Sequence, residues 1–150
     1  MQGEEVNRTT TEARTRLSSH PTSAGAARRF VRDVLHQSSA GLREEPVLLC
    51  TDELVTNAIV HVQTDIEVVV RLDADVIRVE VHDQSDRPPL RQMSHVDAEA
   101  GRGLQLVEAL SERWGVDTGA GGGGKAVWFE VPRAATAATA AAAGAARSIP

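Results

Sequence analysis

The sequence predicts an α+β protein, with a mixed, mainly antiparallel sheet that carries helices on one face. Two amphipathic helical stretches follow one another in the first half of the chain, and two strand-like stretches of alternating hydrophobicity come directly after them. A third helical stretch and a glycine-rich turn then lead into a final strand rich in valine and aromatic residues. The predicted order is β-α-α-β-β-loop-α-β-β, and successive helices beside an antiparallel hairpin are typical of this class.

Composition indicates one globular domain. The chain has 150 residues, of which 41% are hydrophobic, enough for a sizeable core. Its net charge of −5 disfavours nucleic acid or an anionic membrane as a partner, since both need a basic surface. Cys50 is the only cysteine, so an intrachain disulfide is excluded. No apolar stretch approaches the roughly 20 residues that span a bilayer, and no signal peptide is visible, so we expect a cytoplasmic protein.

Both ends of the chain read as appendages. Residues 1–12 are polar and have little to bury, and residues 133–150 are mostly alanine without large side chains. An isolated alanine-rich helix of this length is marginal in water. The predicted domain therefore covers residues 13–132.

Two helices open this domain. Thr22-Ser23 can cap a helix that extends through Leu35 and is broken by Gly41. A second helix starts near Glu44-Glu45-Pro46, because acidic residues and proline favour a first turn, and it continues to about Val62.

A hairpin follows the second helix. Residues 66–72 and 77–82 alternate between apolar and polar side chains, and residues 73–75 form a tight connection. Two positions after Val81, on the same buried face, the sequence has Asp83. This carboxylate either ends the strand as a turn residue or points into a pocket.

A long loop separates the hairpin from the last helix. Residues 84–100 show no periodicity, and loops of this length are often functional lids. Gly101-Arg102-Gly103 then opens a third helix, and residues 119–124 form a glycine-rich turn before the strand 125–131. The apolar face of the third helix is predicted to contain four residues: Leu104, Val107, Leu110 and Trp114.

The second helix carries the most informative motif. Glu53, Asn57 and His61 recur every four residues and project from nearly one face of an otherwise apolar helix. The amide oxygen of Asn57 suits Mg²⁺, and a glutamate one turn earlier could activate an attacking group beside a phosphate. His61 could also reach a phosphate. The alternative is that Glu53 and Asn57 are solvent-exposed polar positions and that His61 is an ordinary residue at a helix end.

Two further elements point to a nucleotide. Asp83 could accept a hydrogen bond from the exocyclic amine of adenine, or it could be a turn residue. In Gly101-Arg102-Gly103, main-chain N–H groups at a helix start could bind an anion and Arg102 could pair with a phosphate, although a plain loop before a helix is also compatible. The chain contains no P-loop motif G-x-x-x-x-G-K-[ST] and no G-x-G-x-x-G after a first strand, so those nucleotide folds are excluded.

The order and spacing of these motifs resemble the ATP-binding domain shared by DNA gyrase, histidine kinases and related ATPases, the GHKL group. The resemblance is closest to the stand-alone serine/threonine kinases that act as anti-sigma factors, and it covers about residues 17–131. Four segments carry it: Glu53-Leu54-Val55-Thr56-Asn57-Ala58, Gly101-Arg102-Gly103-Leu104-x-Leu106-Val107, Arg113-Trp114-Gly115 and Gly124-Lys125-Ala126-Val127-Trp128-Phe129-Glu130.

The resemblance implies a role for each candidate residue. Asn57 would hold Mg²⁺ between the phosphates of ATP, with His61 nearby, and Glu53 would be the general base toward a serine or threonine hydroxyl. Asp83 would bind the adenine amine, and Gly101-Arg102-Gly103-Leu104 would close over the phosphates. The implied fold is a two-layer α/β sandwich, the Bergerat fold, with the nucleotide between the helices and one end of the sheet.

Three positions depart from the family pattern. Gln84 and Ser85 follow Asp83 where the family often has an x-Gly pair, Val60 stands where a basic residue is frequent, and Ala126 stands where threonine is common. Each change removes a potential contact to the nucleotide, and a neutral hydrogen bond is worth about 1 kcal/mol.

The resemblance implies an anti-sigma factor that sequesters a sigma factor and phosphorylates a STAS-type antagonist with Mg-ATP, commonly as a homodimer. It implies no nucleic-acid or membrane partner. One alternative is an ATPase-like binding module that sequesters a partner without transferring phosphate. A second is a fragment of a histidine kinase, which requires a phospho-accepting histidine before the motif, where only His20 and His36 occur.

Overall fold

The computed structural model describes residues 10–40, 43–84, 98–118 and 124–133, with side chains of the third helix described from Leu104 onward. Within these ranges the chain forms five strands and three helices. In chain order they are β1 (Thr11–Leu17), α1 (Ser23–Gln37), α2 (Glu44–His61), β2 (Ile66–Leu72), β3 (Val76–Asp83), α3 (Ala98–Leu110), β4 (Arg113–Thr118) and β5 (Lys125–Pro132).

The strands form one sheet in the order β1-β2-β3-β5-β4. Every ladder between described strands is antiparallel, including the predicted hairpin of β2 and β3, so the mixed component of the predicted sheet is not found here. The α+β class with a sheet and helices is confirmed.

The core lies between the sheet and the helices. Alternate residues of the three central strands are buried, because successive side chains of a strand point to opposite faces, and they form one apolar cluster with the helices. The strand members of this cluster are Ile66, Val68, Val70, Leu72, Ile77, Val79, Val81, Val127, Phe129 and Val131. From α2 the cluster takes Val47, Cys50, Leu54, Val55 and Ala58. This helix is therefore fixed in place by its apolar side.

The ends of the first two helices and the hairpin turn follow local chemistry. Thr22 occupies the N-cap position of α1 as predicted, but its side chain makes no capping hydrogen bond; its hydroxyl lies 2.9 Å from Nδ1 of His20 instead. The two acidic residues predicted for the first turn of α2 lie there. In the hairpin turn, Oδ1 of Asp73 accepts hydrogen bonds from the main-chain N–H groups of Asp75 and Val76, at 2.8 and 2.7 Å.

The sheet begins earlier than the sequence suggested. β1 starts at Thr11, so two residues of the predicted tail 1–12 belong to the edge of the sheet. Glu12 is held there because Nε of Arg71 donates to its carboxylate at 2.9 Å. The polar composition of residues 11–12 hid this start of the first strand, since its main-chain partners lie on β2.

The third helix also differs from the prediction at both ends. α3 begins at Ala98, three residues before Gly101, and ends at Leu110. Trp114 was assigned to its apolar face, which is wrong: Trp114 lies in β4 opposite Phe129 of β5. The chain leaves the helix because the N–H of Glu112 donates to a carbonyl of β5 at 2.8 Å, which starts the ladder.

The outer face of the sheet is covered by charged side chains. Arg71 and Arg78 donate to Oε2 of Glu80 at 2.8 and 2.7 Å, and Nε2 of His82 lies 2.8 Å from Oε1. The hydrogen bond with His82 lowers the pKa of Glu80 most. The hydrogen bond with Arg78 and the charges of Arg71 and Arg78 lower it further, to about 2, against the opposing effect of burial. The guanidinium of Arg78 also lies 4.0 Å above the ring of Trp128, a cation–π contact.

Among the described helices, none combines the length and the apolar character that crossing a lipid bilayer requires.

Candidate functional site

Several elements meet at one end of the sheet, which we call the site end. β3 finishes there at Asp83, whose register partner is Lys125, the first residue of β5. Thr118, the last residue of β4, pairs with Lys125 as well. β2 starts at Ile66, and α2 finishes at His61, shortly before it. Helix α2 therefore runs toward the same end of the sheet at which Asp83 lies.

A hydrogen bond ties the end of α2 to the end of β3. The main-chain N–H of Gln84 donates to the hydroxyl of Thr64 at 3.3 Å, and Thr64 lies in the turn between α2 and β2. Asn57 lies one turn before the end of α2, about 6 Å along the helix axis. The amide and the carboxylate of Asp83 thus belong to the same region of the molecule.

Asn57 has a buried side-chain nitrogen without a hydrogen-bond partner among the described residues, as Arg43 and Trp128 do. It is 8% exposed, and its Nδ2 has no hydrogen-bond partner among the described residues. Leaving a buried amide donor unpaired costs about 1–3 kcal/mol. The alternative interpretation of Asn57 as a solvent-exposed position is therefore wrong. An amide kept buried and unpaired is suited to a ligand that enters from outside the chain.

Glu53 lies one helical turn before Asn57 and is half-buried. Burial, and to a smaller extent the neighbouring charge of Asp52, raises the pKa of Glu53. A carboxylate with a raised pKa accepts a proton more readily, which is the requirement for a general base. The i, i+4 pair therefore places an amide oxygen suited to a metal and a carboxylate suited to a base on one face of α2.

Asp83 lies on the buried face of the sheet, as its parity with Val81 predicted. It is 4% exposed, so it is not a solvent-facing turn residue. Its Oδ2 lies 3.4 Å from Nζ of Lys125, which is itself 7% exposed. Sequence reasoning missed Lys125. The available signal was its position: it is the only lysine of the chain and the first residue of the strand that follows the glycine-rich turn.

Gly124 brings the start of β5 close to Asp83. Its φ of +86° is a conformation that other residues rarely adopt. A Cβ at this position would lie 2.5 Å from the carbonyl oxygen of Asp83, closer than real contacts allow. Glycine at 124 thus lets the two main chains approach beside the Asp83–Lys125 pair.

The remaining predicted residues are placed less directly. His61 is the half-buried last residue of α2, and Leu104 is half-buried on α3. Gly101-Arg102-Gly103 lies inside α3 and not at its start, so the prediction of a helix-start anion site formed by all three residues is wrong. At least three helical residues precede Gly101, so the N–H groups of Arg102 and Gly103 fall beyond the four that a helix start leaves free. The central part of the predicted lid, 85–97, lies outside the described residues.

The chemistry of the site suits Mg²⁺ held mainly by a nucleotide. In the ranges that the structure describes, no three His, Cys, Asp or Glu side chains cluster as metal ligands. Mg²⁺ commonly keeps several waters and takes one or two protein oxygens besides substrate phosphates. One amide oxygen from Asn57 fits that mode of binding.

Cys50, one turn before Glu53, is fully buried in the apolar core. Burial, and then the charge of Glu53, raises the pKa of its thiol to about 12. The thiol stays protonated and acts as a small core residue.

Comparison with known families decides the assignment. The family model described as "Histidine kinase-like ATPase domain" matches residues 17–131, from the last residue of β1 into β5. The chain belongs to the histidine kinase-like ATPase domain family. Membership implies ATP binding, typically with Mg²⁺. The unpaired Nδ2 of Asn57 is a hydrogen-bond donor, which suits a phosphate oxygen, whereas the amide oxygen of the same side chain is the atom that suits Mg²⁺. No curated protein matches the chain significantly.

Proposed function

We propose that this domain binds Mg-ATP at the site end of the sheet and works as an anti-sigma factor kinase. It would sequester a sigma factor and phosphorylate a serine or threonine of a STAS-type antagonist. The observation that carries the proposal is the unpaired, buried amide of Asn57 one turn from Glu53, within a domain of ATPase ancestry. The anti-sigma assignment is supported by the motif resemblance described above.

Each residue has a defined task in this proposal. Bound Mg-ATP supplies a transferable phosphoryl group and neutralises its charge, and such chemistry depends mostly on positioning. The amide oxygen of Asn57 provides the protein ligand that fixes the metal end of the nucleotide. Glu53 accepts the proton of the attacking hydroxyl, for which its raised pKa is favourable. Asp83 accepts a hydrogen bond from the adenine amine at the other end of the site.

Calorimetry on the whole chain tests the nucleotide site. We expect wild type to bind ATP in a Mg²⁺-dependent manner and Asn57→Ala to lose that dependence. Glu53→Gln keeps the size of the side chain and removes the base, so it should retain ATP within a fewfold of wild type while phosphotransfer to a STAS-type antagonist falls by about 10²–10⁴. Absence of ATP binding by wild type would refute the proposal.

A second candidate function is a binding module without phosphotransfer. It is favoured by the departures from the family pattern at Gln84, Ser85 and Ala126, each of which removes a potential contact to the nucleotide. In that case wild type would capture a sigma factor equally well with and without Mg-ATP, and radiolabelled γ-phosphate would not reach any antagonist.

Light scattering on the free protein measures the homodimer that the resemblance implies.

A further inference from the structure

The lysine at the site end is unusual within this chain. Apart from the histidines, all other basic residues are arginines, and those with described contacts on the outer face of the sheet are paired with acidic residues there. Lys125 instead lies on the helix-facing side, 7% exposed. Removing an ammonium from water is unfavourable, and a buried ion pair is often no more stabilising than apolar residues of similar size. Stability alone therefore does not account for this residue.

The geometry couples Lys125 to one carboxylate. Lys125 and Asp83 are register partners on adjacent antiparallel strands, so their side chains leave the sheet on the same face. Nζ of Lys125 lies 3.4 Å from Oδ2 of Asp83, and both side chains are almost fully buried. The close approach at Gly124 fixes the main chain immediately before the lysine.

We propose that Lys125 is a positioning residue that orients the carboxylate of Asp83 for recognition of a 6-aminopurine. This inference rests on the proposed nucleotide site and deepens it. A carboxylate only accepts hydrogen bonds, and the 6-amino group of adenine donates, whereas the 6-oxo group of guanine or hypoxanthine accepts. By holding Oδ2, the ammonium sets the plane of the carboxylate and hence the direction in which it accepts a hydrogen bond from a base.

A lysine that contacted phosphates would behave differently. Its loss would weaken all purine triphosphates by the same factor, since their phosphates are identical. A purely structural lysine would do the same, because a distorted pocket disfavours every ligand. Only an orienting role makes the effect depend on the substituent at position 6 of the base.

The first experiment measures three nucleotides by calorimetry with Mg²⁺: ATP, inosine triphosphate and purine riboside triphosphate, which lacks a 6-substituent. Wild type should prefer ATP to the unsubstituted purine by about ten- to a hundredfold, the value of a hydrogen bond to a charged group. In Lys125→Met this ratio should fall to within about threefold of unity, with affinity for the unsubstituted purine nearly unchanged. Lys125→Arg should retain most of the preference.

Arg113→Met is the matched control. It removes a positive charge from β4 at an exposed position, where the arginine pairs with Glu130 on the outer face. Its preference for ATP should equal that of wild type.

The second experiment does not require a folded variant. Because the chain has one lysine, labelling with ¹³C-lysine gives one side-chain resonance from Lys125. Mg-ATP should shift this resonance strongly in wild type, and Mg-tripolyphosphate, which lacks a base, should leave it nearly in place.

The outcomes separate the role of Lys125 from the proposed nucleotide site on which it rests. Equal weakening of all three nucleotides in Lys125→Met, an unchanged preference for ATP, or a lysine resonance that does not respond to saturating Mg-ATP would overturn the role of Lys125. Wild type that binds the three nucleotides equally would overturn it too, while leaving the nucleotide site intact. Wild type that binds none of them would overturn both.

Discussion

Asn57→Leu replaces a buried amide by an apolar side chain with the same number of heavy atoms and the same branching. The amide of Asn57 is 8% exposed and its nitrogen has no partner in the described structure. Removing an unpaired buried donor should recover about 1–3 kcal/mol, and leucine is the better helix former by about 0.5 kcal/mol. Without nucleotide, Asn57→Leu should therefore be more stable than wild type by about 1–3 kcal/mol.

With Mg-ATP bound, the order of stability should reverse, and wild type should be more stable than Asn57→Leu. A ligand at 100 times its Kd stabilises the folded state by about 2.7 kcal/mol, and only wild type should gain this from Mg-ATP. Urea unfolding followed by fluorescence of Trp114 and Trp128, with and without Mg-ATP, measures both effects. Thr56→Leu is the control: residue 56 is exposed on the same helix, so it reports helix propensity alone.

Three results would refute this reasoning. If Asn57→Leu lost more than about 1 kcal/mol without nucleotide, the amide would be stabilising the fold and not reserved for a ligand. If the variant gained as much stability from Mg-ATP as wild type, Asn57 would not belong to the nucleotide site. A gain equal to that of Thr56→Leu would show that helix propensity alone accounts for the change.

Three further substitutions test other parts of the structure. Asp52→Asn removes a charge that raises the pKa of Glu53, so the acidic limb of the phosphotransfer–pH profile should move to lower pH. The shift should be small, because burial, the larger cause of the raised pKa, remains. The hydrogen bond with His82 is the largest cause that holds the pKa of Glu80 at about 2, below its ordinary value. Above pH 4.5, Glu80 should therefore contribute up to about 3 kcal/mol to the free energy of unfolding, and this contribution should disappear as the pH falls toward 2. Urea titrations should show this loss in wild type and not in Glu80→Gln. Gly124→Ala places a Cβ 2.5 Å from the carbonyl oxygen of Asp83, on a backbone with a φ of +86°. This substitution should lower the free energy of unfolding by at least about 2 kcal/mol in urea unfolding. It should also weaken ATP binding in calorimetry.

The parts of the fold that sequence alone predicted are those with a strong local period. The alternation along β2 and β3 gave the hairpin, and the same parity put Asp83 on the buried face, where it is 4% exposed. The spacing of Glu53 and Asn57 gave a shared helical face, because that relation depends only on helix geometry.

The errors arose where contacts distant in sequence decide the structure. Trp114 follows Leu110 at helical spacing, which predicts a helix. It lies in a strand instead, because β4 pairs with β5 and this strand pairing overrides the local helical period. Two glycines at 101 and 103 suggested a helix start, but both lie inside α3. Packing of α3 against α2 outweighs the helix-propensity cost of about 1 kcal/mol for each glycine. Lys125 was missed because its importance comes from its register with Asp83, a relation that no local pattern encodes.

The arrangement of α2 has a consequence for how such a protein can change over evolutionary time. Its apolar side is locked into the core by Leu54, Val55 and Ala58, while Glu53 and Asn57 occupy the intervening positions. A lineage that lost its chemistry by exchanging these two residues would keep its shape, since neither one anchors the helix. Loss of the proposed phosphotransfer is accordingly open to single substitutions that leave the fold intact.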